Sequence, residues 1–321
     1  MSEHSQEERI ELTIPGDDLV LPFQAEQADV LGRLVKLGPV VDTILSRHAY
    51  PEAVSRLLGE AVALTALLGA SLKFDGKFIL QASTDGPVDL LVADYLAPGR
   101  LRGYARFSPE KIAALGEGAE ALPALLGQGH FAMTIDRGAD TERYQGVVPL
   151  EGESLTEAAD IYFRQSEQLP TFIRLAVAKH YRGAPSGGSW AWRAGGLLVQ
   201  KLTREGGRGG ERDVLDEEDW NRARMLAETV EDHELLDPLL PPDRLLYRLF
   251  HEEQVRAYRA ISLESYCSCS RTRVEELLRR FTSEDLQDMV VDGEVWVTCE
   301  FCNSRYHFDP AGFIKEDGAS S

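Results

Sequence analysis

From Pro51 to Phe74 the segment PEAVSRLLGEAVALTALLGASLKF carries apolar residues almost all round after its first turn, with Pro51 suited to the first helical position. Such a helix is expected to be buried on every side rather than docked along one stripe. Strand-like runs follow: Phe78 to Ser83, Val88 to Tyr95 and Leu101 to Phe107, punctuated by Asp85-Gly86-Pro87 and Pro98-Gly99. They read as an antiparallel meander. His130 to Ile135 and Arg143 to Leu150, separated by Asp136-Arg-Gly-Ala-Asp, read as a further hairpin. Ser154-Leu-Thr-Glu157 has the spacing of a capping box and predicts a helix start.

Thr171 to His180 and Trp190 to Leu202 are two more expected strands, joined through a turn at Pro185 to Ser189. Gly195-Gly196 lacks the spacing that cradles a phosphate, and is read as a bend that lets another backbone come close. Residues 1–17 are polar apart from a strand candidate at Ile10 to Ile14. The first unit, residues 1–204, therefore reads as an α+β domain with a central helix against an antiparallel sheet.

At Glu205 the pattern changes. Glu205-Gly-Gly-Arg-Gly-Gly-Glu211-Arg is a flexible tether, and two amphipathic helices are expected beyond it. One spans about Asp216 to Val230 with Trp220, Ala223, Ala227 and Val230 on a face. The other starts near Asp243 with Leu245, Leu246, Leu249 and Phe250 on a face, and Pro238, Pro241 and Pro242 break the chain between them. Residues 205–256 hold fifteen acidic and seven basic side chains, a local net charge of −8. Short acidic helices of this kind persist through tertiary contacts, so this linker reads either as an ordinary helical connector with its apolar face docked on a neighbour or as an element that folds and unfolds with its surroundings.

Residues 257–321 form the last expected unit, with helices from Val274 to about Phe281 and from Ser283, and a strand Glu294 to Cys299 after an Asp292-Gly293 turn. All four cysteines lie here, as Cys267-Ser-Cys269 and Cys299-Glu-Phe-Cys302, with 29 residues between the pairs. Two close thiol pairs in a chain otherwise free of cysteine read as one tetrahedral zinc site. Cys-x-Cys is the tighter and less ordinary half, Arg271 and Arg273 beside it are expected to favour the thiolate, and His307 is an alternative ligand. Cys299-Glu-Phe-Cys302 reads as a knuckle closed by Tyr306 and Phe308. Four metal–sulfur bonds would staple a unit too small to stand by hydrophobic burial.

Composition narrows the function classes. With 34 Lys and Arg against 53 Asp and Glu, the net charge of −19 opposes nucleic-acid binding. No run approaches the roughly 18 apolar residues of a membrane span, and Met1-Ser-Glu-His-Ser-Gln-Glu-Glu-Arg has neither the basic nor the apolar region of a secretion signal. A cytoplasmic setting is expected, in which resting thiols stay reduced. There is no GxSxG and no HExxH despite His251-Glu-Glu-Gln, so no catalytic residues are assigned and an enzyme is not expected. Two other readings of the cysteines stay open: a thiol-disulfide oxidoreductase using Cys299 and Cys302, and a zinc-bearing interaction module.

The ordered set Cys267, Cys269, Cys299 and Cys302 closely resembles the signature of the redox-regulated holdase chaperones, the heat-shock proteins of thirty-three kilodaltons. Further stretches are similar to that family: LLGEAVALTALLGASLKFDGKFILQASTDGPVDLLVADY from Leu57, YQGVVPL from Tyr144, SEQLP from Ser166, GGLLVQKL from Gly195 and LLYRLFHEEQV from Leu245. The resemblance implies an ATP-independent chaperone of the oxidative stress response, inactive while reduced and zinc-bound. It implies that oxidation joins Cys267 to Cys269 and Cys299 to Cys302, releases the one zinc ion, and unfolds the module and linker. Exposed surface then holds unfolding client proteins, and the active species is a homodimer. The glycine-rich 205–211 tether departs from the pattern, and no client-binding residue carries over.

Overall fold

The computed structural model describes residues 16–72, 75–116, 122–138, 143–183, 188–202 and 211–313. The strand candidate at Ile10 to Ile14, the end of the long helix at Phe74, most of the Pro185 to Ser189 turn and the tether up to residue 210 lie outside the described residues.

A hairpin of β1 (Leu19–Ala25) and β2 (Val30–Leu37) leads into α1 (Pro39–Leu45) and the long α2 (Glu52–Gly69). Pro51 is the N-cap of α2 rather than its first residue, and fourteen of the eighteen helical residues are buried. The meander follows as β3 (Lys77–Thr84), β4 (Val88–Leu96) and β5 (Arg100–Phe107). Two short helices, α3 (Pro109–Ala114) and α4 (Leu122–Leu126), precede the hairpin β6 (Gly129–Asp136) and β7 (Tyr144–Pro149). These five strands form one sheet in the order β5-β4-β3-β6-β7, with Phe78 opposite both Tyr95 and Ile135.

Helix α5 (Leu155–Tyr162) starts where the capping spacing places it, Ser154 Oγ accepting the Glu157 N–H at 3.2 Å. The reciprocal half of the box is shifted by one residue, since the Glu157 carboxylate accepts from the Glu153 N–H at 2.7 Å. A π turn at Phe163–Glu167 ends the helix. The chain then forms β8 (Thr171–Arg182) and β9 (Ser189–Lys201), which extend the first hairpin into a second sheet ordered β1-β2-β9-β8.

Helix α2 runs between the two sheets. Its Leu58 and Leu64 share one apolar cluster with Val35 and Leu198 of one sheet and Leu80 and Leu91 of the other. That sandwich is why the helix lacks a polar stripe. Gly195 and Gly196 do not bend β9, whose pairing to Lys36 and Val35 is unbroken, so the expected bend is corrected to close approach alone. A Cβ on Gly196 would sit 2.9 Å from Leu175 and 3.0 Å from Leu67 of α2. One on Gly195 would sit 2.5 Å from the Leu235 carbonyl on the opposite face.

That opposite face is covered by the linker, folded as α6 (Glu211–Glu228), α7 (Asp232–Leu236) and α8 (Pro242–Phe250). Helix α6 begins earlier than expected and α7 is an addition. Ala223, Ala227, Val230, Leu235, Leu245, Leu249 and Phe250 pack on Leu21, Phe23, Leu34, Leu197 and Val199 of the sheet. Phe23 and Phe250 meet with ring centroids 5.4 Å apart. Buried cations hold the turn after α7: Lys36 Nζ donates to the Asp237 and Leu240 carbonyls at 2.7 Å each and to Glu234 at 3.3 Å, and Arg193 donates to the Leu236 carbonyl at 2.6 Å.

Residues on both sides of the boundary expected at 256 then join the two sheets. Strands β10 (Val255–Ala257) and β11 (Ile261–Ser262) pair with β1, and β12 (Glu264–Ser265) pairs in parallel with β5. The final unit holds α9 (Arg271–Leu278), α10 (Ser283–Asp288) and a small sheet of β13 (Val290–Val291), β14 (Glu294–Thr298) and β15 (Arg305–Phe308). Helix α9 starts three residues before the expected Val274 because Ser270 Oγ caps it through the Arg273 N–H. The fold class is α+β, as expected.

One partly buried acid lies between the core and the linker. Glu60 of α2 lines a cavity of about 210 Å³ that Asp232 of α7 also lines. Burial pushes the Glu60 carboxyl up to about 7, with Arg56 pulling it down and Asp232 raising it further. The folded state thus binds more protons than the unfolded chain between the ordinary carboxylate range and pH 7, and stability falls as pH rises through that window. Glu60→Gln should flatten this fall and raise stability at pH 8 by about 2 kcal/mol, read from urea midpoints. A wild-type pH profile in the variant would refute it.

Candidate metal centre

Strand β12 delivers the first cysteine pair. The Tyr266 N–H donates to the Leu101 carbonyl at 2.9 Å, extending the pairing with β5 up to Cys267, and Ser270 then caps α9 so that Cys267 and Cys269 fall in the short turn between. Strand β14 delivers the second pair. The knuckle closes through Asn303 N–H to Cys299 O at 2.8 Å and Cys299 N–H to Ser304 O at 2.9 Å, with Asn303 at φ 57° making the reversal. Strand β15 returns beside β14, and Tyr306 Oη donates to Cys269 Sγ at 3.2 Å.

These two turns bring all four Sγ atoms within 4.8 Å of one another. Cys267 lies 3.3 Å from Cys269 and 3.6 Å from Cys299, and Cys269 lies 3.2 Å from Cys302. A tetrahedral S4 site with bonds of about 2.3 Å has sulfurs about 3.8 Å apart, so the set fits such an ion with small adjustment. The thiols are free and each is partly buried. Burial pushes Cys267 up to about 12 and also raises Cys269. Cys302 is likewise raised by burial, but hydrogen bonds from Ser304 and the neighbouring thiols bring it down to about 6. Ionising all four in so small a volume requires a cation among them.

Arg271 and Arg273, expected to favour the thiolates, act elsewhere. Arg271 lies over the Phe308 ring at 4.5 Å, and Arg273 donates to the Ser268 carbonyl at 2.5 Å. His307, the alternative ligand, meets its cross-strand partner Trp296 in a tilted contact with ring centroids 5.2 Å apart and is not among the four grouped ligands. Phe308 does close the unit, in a core with Val274, Leu278, Leu286 and Val295.

Sequence reasoning missed how the centre is seated. Arg102 of β5 donates to Asp94 at 2.6 Å and to Ser268 Oγ at 3.2 Å, and its guanidinium lies 3.8 Å from the Phe301 ring centroid. Asp94 is 1% exposed. Asn303 Nδ2 also donates to the Arg47 carbonyl at 3.0 Å. Both cysteine turns therefore touch the N-terminal domain. The signal was Asp94, one of two aspartates in the run Val88 to Tyr95, a charge that demands a partner when its face is buried.

The family model described as Hsp33 protein matches residues 18–309. The chain belongs to the Hsp33 family. It is 46% identical over 299 residues to a 33 kDa chaperonin of Caulobacter vibrioides, covering 92% of this chain and 96% of that protein. A 33 kDa chaperonin of Shewanella loihica is 39% identical over 293 residues, covering 91% and 93%. The crystal structure of a 33 kDa chaperonin from Thermotoga maritima, 23% identical, shares the fold with a TM-score of 0.69 over 92% of this chain and 96% of that one. Hsp33 relatives are named as chaperonins, which places the chain among chaperones and not among enzymes. Among the described residues no helix is long and apolar enough to cross a membrane.

Proposed function

We propose that this Hsp33 protein is a redox-regulated, ATP-independent holdase whose switch is a zinc ion held by Cys267, Cys269, Cys299 and Cys302. The observation that carries this reading is the convergence of four sulfurs from segments about thirty residues apart within 4.8 Å. Thiolates in a tetrahedral set favour zinc, which when bound supplies the charge that lets all four sulfurs ionise together.

Oxidation takes four electrons from the four sulfurs, two for each disulfide, and two molecules of hydrogen peroxide accept them with protons to leave as water. The sulfurs then no longer serve as metal ligands. On the pairing implied by the family resemblance, Cys267 joins Cys269 and Cys299 joins Cys302. Residues 257–321 lose their staple, and the strain passes along the chain through β12, β11 and β10 to the linker 205–256. Departure of the linker bares the sheet face of Leu21, Phe23, Leu34, Leu197 and Val199, an apolar surface able to hold unfolding client proteins. The negative charge of the whole chain keeps such a complex dispersed. The oxidised form acts as a homodimer in the cytoplasm, binding neither nucleic acid nor membrane.

Light scattering from an aggregating client tests this reading. Peroxide-treated protein should suppress aggregation at near-stoichiometric amounts while one zinc per chain is released and peptide mapping finds the two disulfides. Reduced, zinc-loaded protein should not suppress it. Equal suppression by both forms, or disulfide formation without released zinc, would refute the switch. Insulin reduction by the reduced protein would instead favour an oxidoreductase.

A further inference from the structure

A second cavity, of about 180 Å³, opens where the C-terminal end of α2 meets both sheets, far along the chain from the cysteines. Phe78 and Met133, 5% and 3% exposed, give it an apolar wall, and Tyr144, half exposed, stands at its rim. Its volume is about six times a water's share of the liquid, room for a small organic molecule rather than one ordered solvent. Two charged side chains line it, Arg33 of β2 and Glu167 of the π turn.

The two charges are served unequally. Glu167 accepts hydrogen bonds from Tyr144 Oη at 3.1 Å and Tyr162 Oη at 3.5 Å. Among the described residues the Arg33 side chain makes no hydrogen bond, ion pair or ring contact, although it is partly buried. Burial alone pulls its guanidinium down from the ordinary value. A desolvated cation without a counter-charge is a cost that a fold retains at binding sites, where a ligand supplies the missing anion. The guanidinium fork matches a carboxylate in two parallel bonds, and the phenol-bound Glu167 leaves the aromatic and methionine wall free for an apolar tail.

We propose that this cavity is a binding site for a small carboxylate with an apolar tail, its carboxylate paired with Arg33. The site goes beyond chaperone action and does not depend on the redox reading, because none of its lining residues touches the cysteine centre. A cationic ligand meets Arg33 and is excluded, and a neutral isostere gives up the charged pair.

Calorimetric titration of the full-length reduced protein with benzoate, benzamide and benzylamine tests this. Benzoate should bind the wild type, benzamide at least ~10-fold more weakly and benzylamine not measurably. Arg33→Gln should lose benzoate by at least ~10-fold. Without ligand, Arg33→Gln should melt at a higher temperature than the wild type, since an unpaired charge is removed, and benzoate should raise the melting temperature of the wild type alone. Met133→Trp, which keeps Arg33 and fills the cavity, should also lose binding. No benzoate heat at millimolar concentration would overturn the proposal, as would equal binding by Arg33→Gln or a lowered melting temperature in that variant.

Discussion

Chelating the metal from reduced protein should abolish hydrogen-exchange protection across residues 266–313 while the two large sheets keep theirs. The core of this unit consists of Val274, Leu278, Leu286, Val295 and Phe308. Five side chains at roughly 2 kcal/mol each do not offset the conformational entropy of ordering nearly fifty residues. A structural zinc site contributes on the order of 10 kcal/mol or more, comparable with the whole stability of an ordinary domain. Protection in α9, α10 and β14 should therefore fall by more than ~1,000-fold, and that of α2, enclosed between two sheets, should stay. Mass-resolved exchange with and without chelator measures it. Undiminished protection in β14 of metal-free protein would show that the unit folds on its own and would remove the switch.

Lys36→Met should make the reduced, zinc-loaded protein a constitutive holdase. Lys36 is fully buried on β2, and its ammonium satisfies three carbonyls between Glu234 and Leu240. Methionine keeps the length of the side chain but leaves the Asp237 and Leu240 carbonyls without a donor, at about 1–3 kcal/mol for each group. About 3 kcal/mol in total shifts linker docking by roughly 100-fold. Arg193 still holds the Leu236 carbonyl, so the linker should loosen around 234–240 first. The expected signs are client protection without peroxide and faster exchange at 234–240, with zinc still bound. A variant silent in both assays would show that apolar packing alone holds the linker.

Much of this was legible locally. The all-round apolar helix, the meander with its turn residues, the Ser154 cap and the faces Ala223-Ala227-Val230 and Leu245-Leu249 each announce themselves within a few turns or strands, because helix and strand periods are short-range properties. The thiol spacing announced a cluster of four sulfurs close enough to hold a metal ion for the same reason. Helix α7 was not legible: five residues shortly before Pro238 carry too little periodicity, and they are helical because Glu231 and Glu234 cap the turn and Leu235 seats against Gly195. Nor was the half-shifted box at Ser154, which depends on where Gly152 lets the chain turn back over Glu157.

By itself the sequence determined the long helix α2, the strands of the meander and of the later hairpins, the apolar faces of α6 and α8, and that four sulfurs would meet. Tertiary structure alone decided that α2 lies between two sheets, that Lys36 reaches carbonyls some two hundred residues away, that Arg102 and Phe301 seat the cysteine turns, and that Arg33 faces an open cavity. The physical reason is range. Periodicity, capping and ligand spacing are properties of neighbouring residues, whereas the partner of a buried charge is chosen by how distant strands close, which no local pattern encodes.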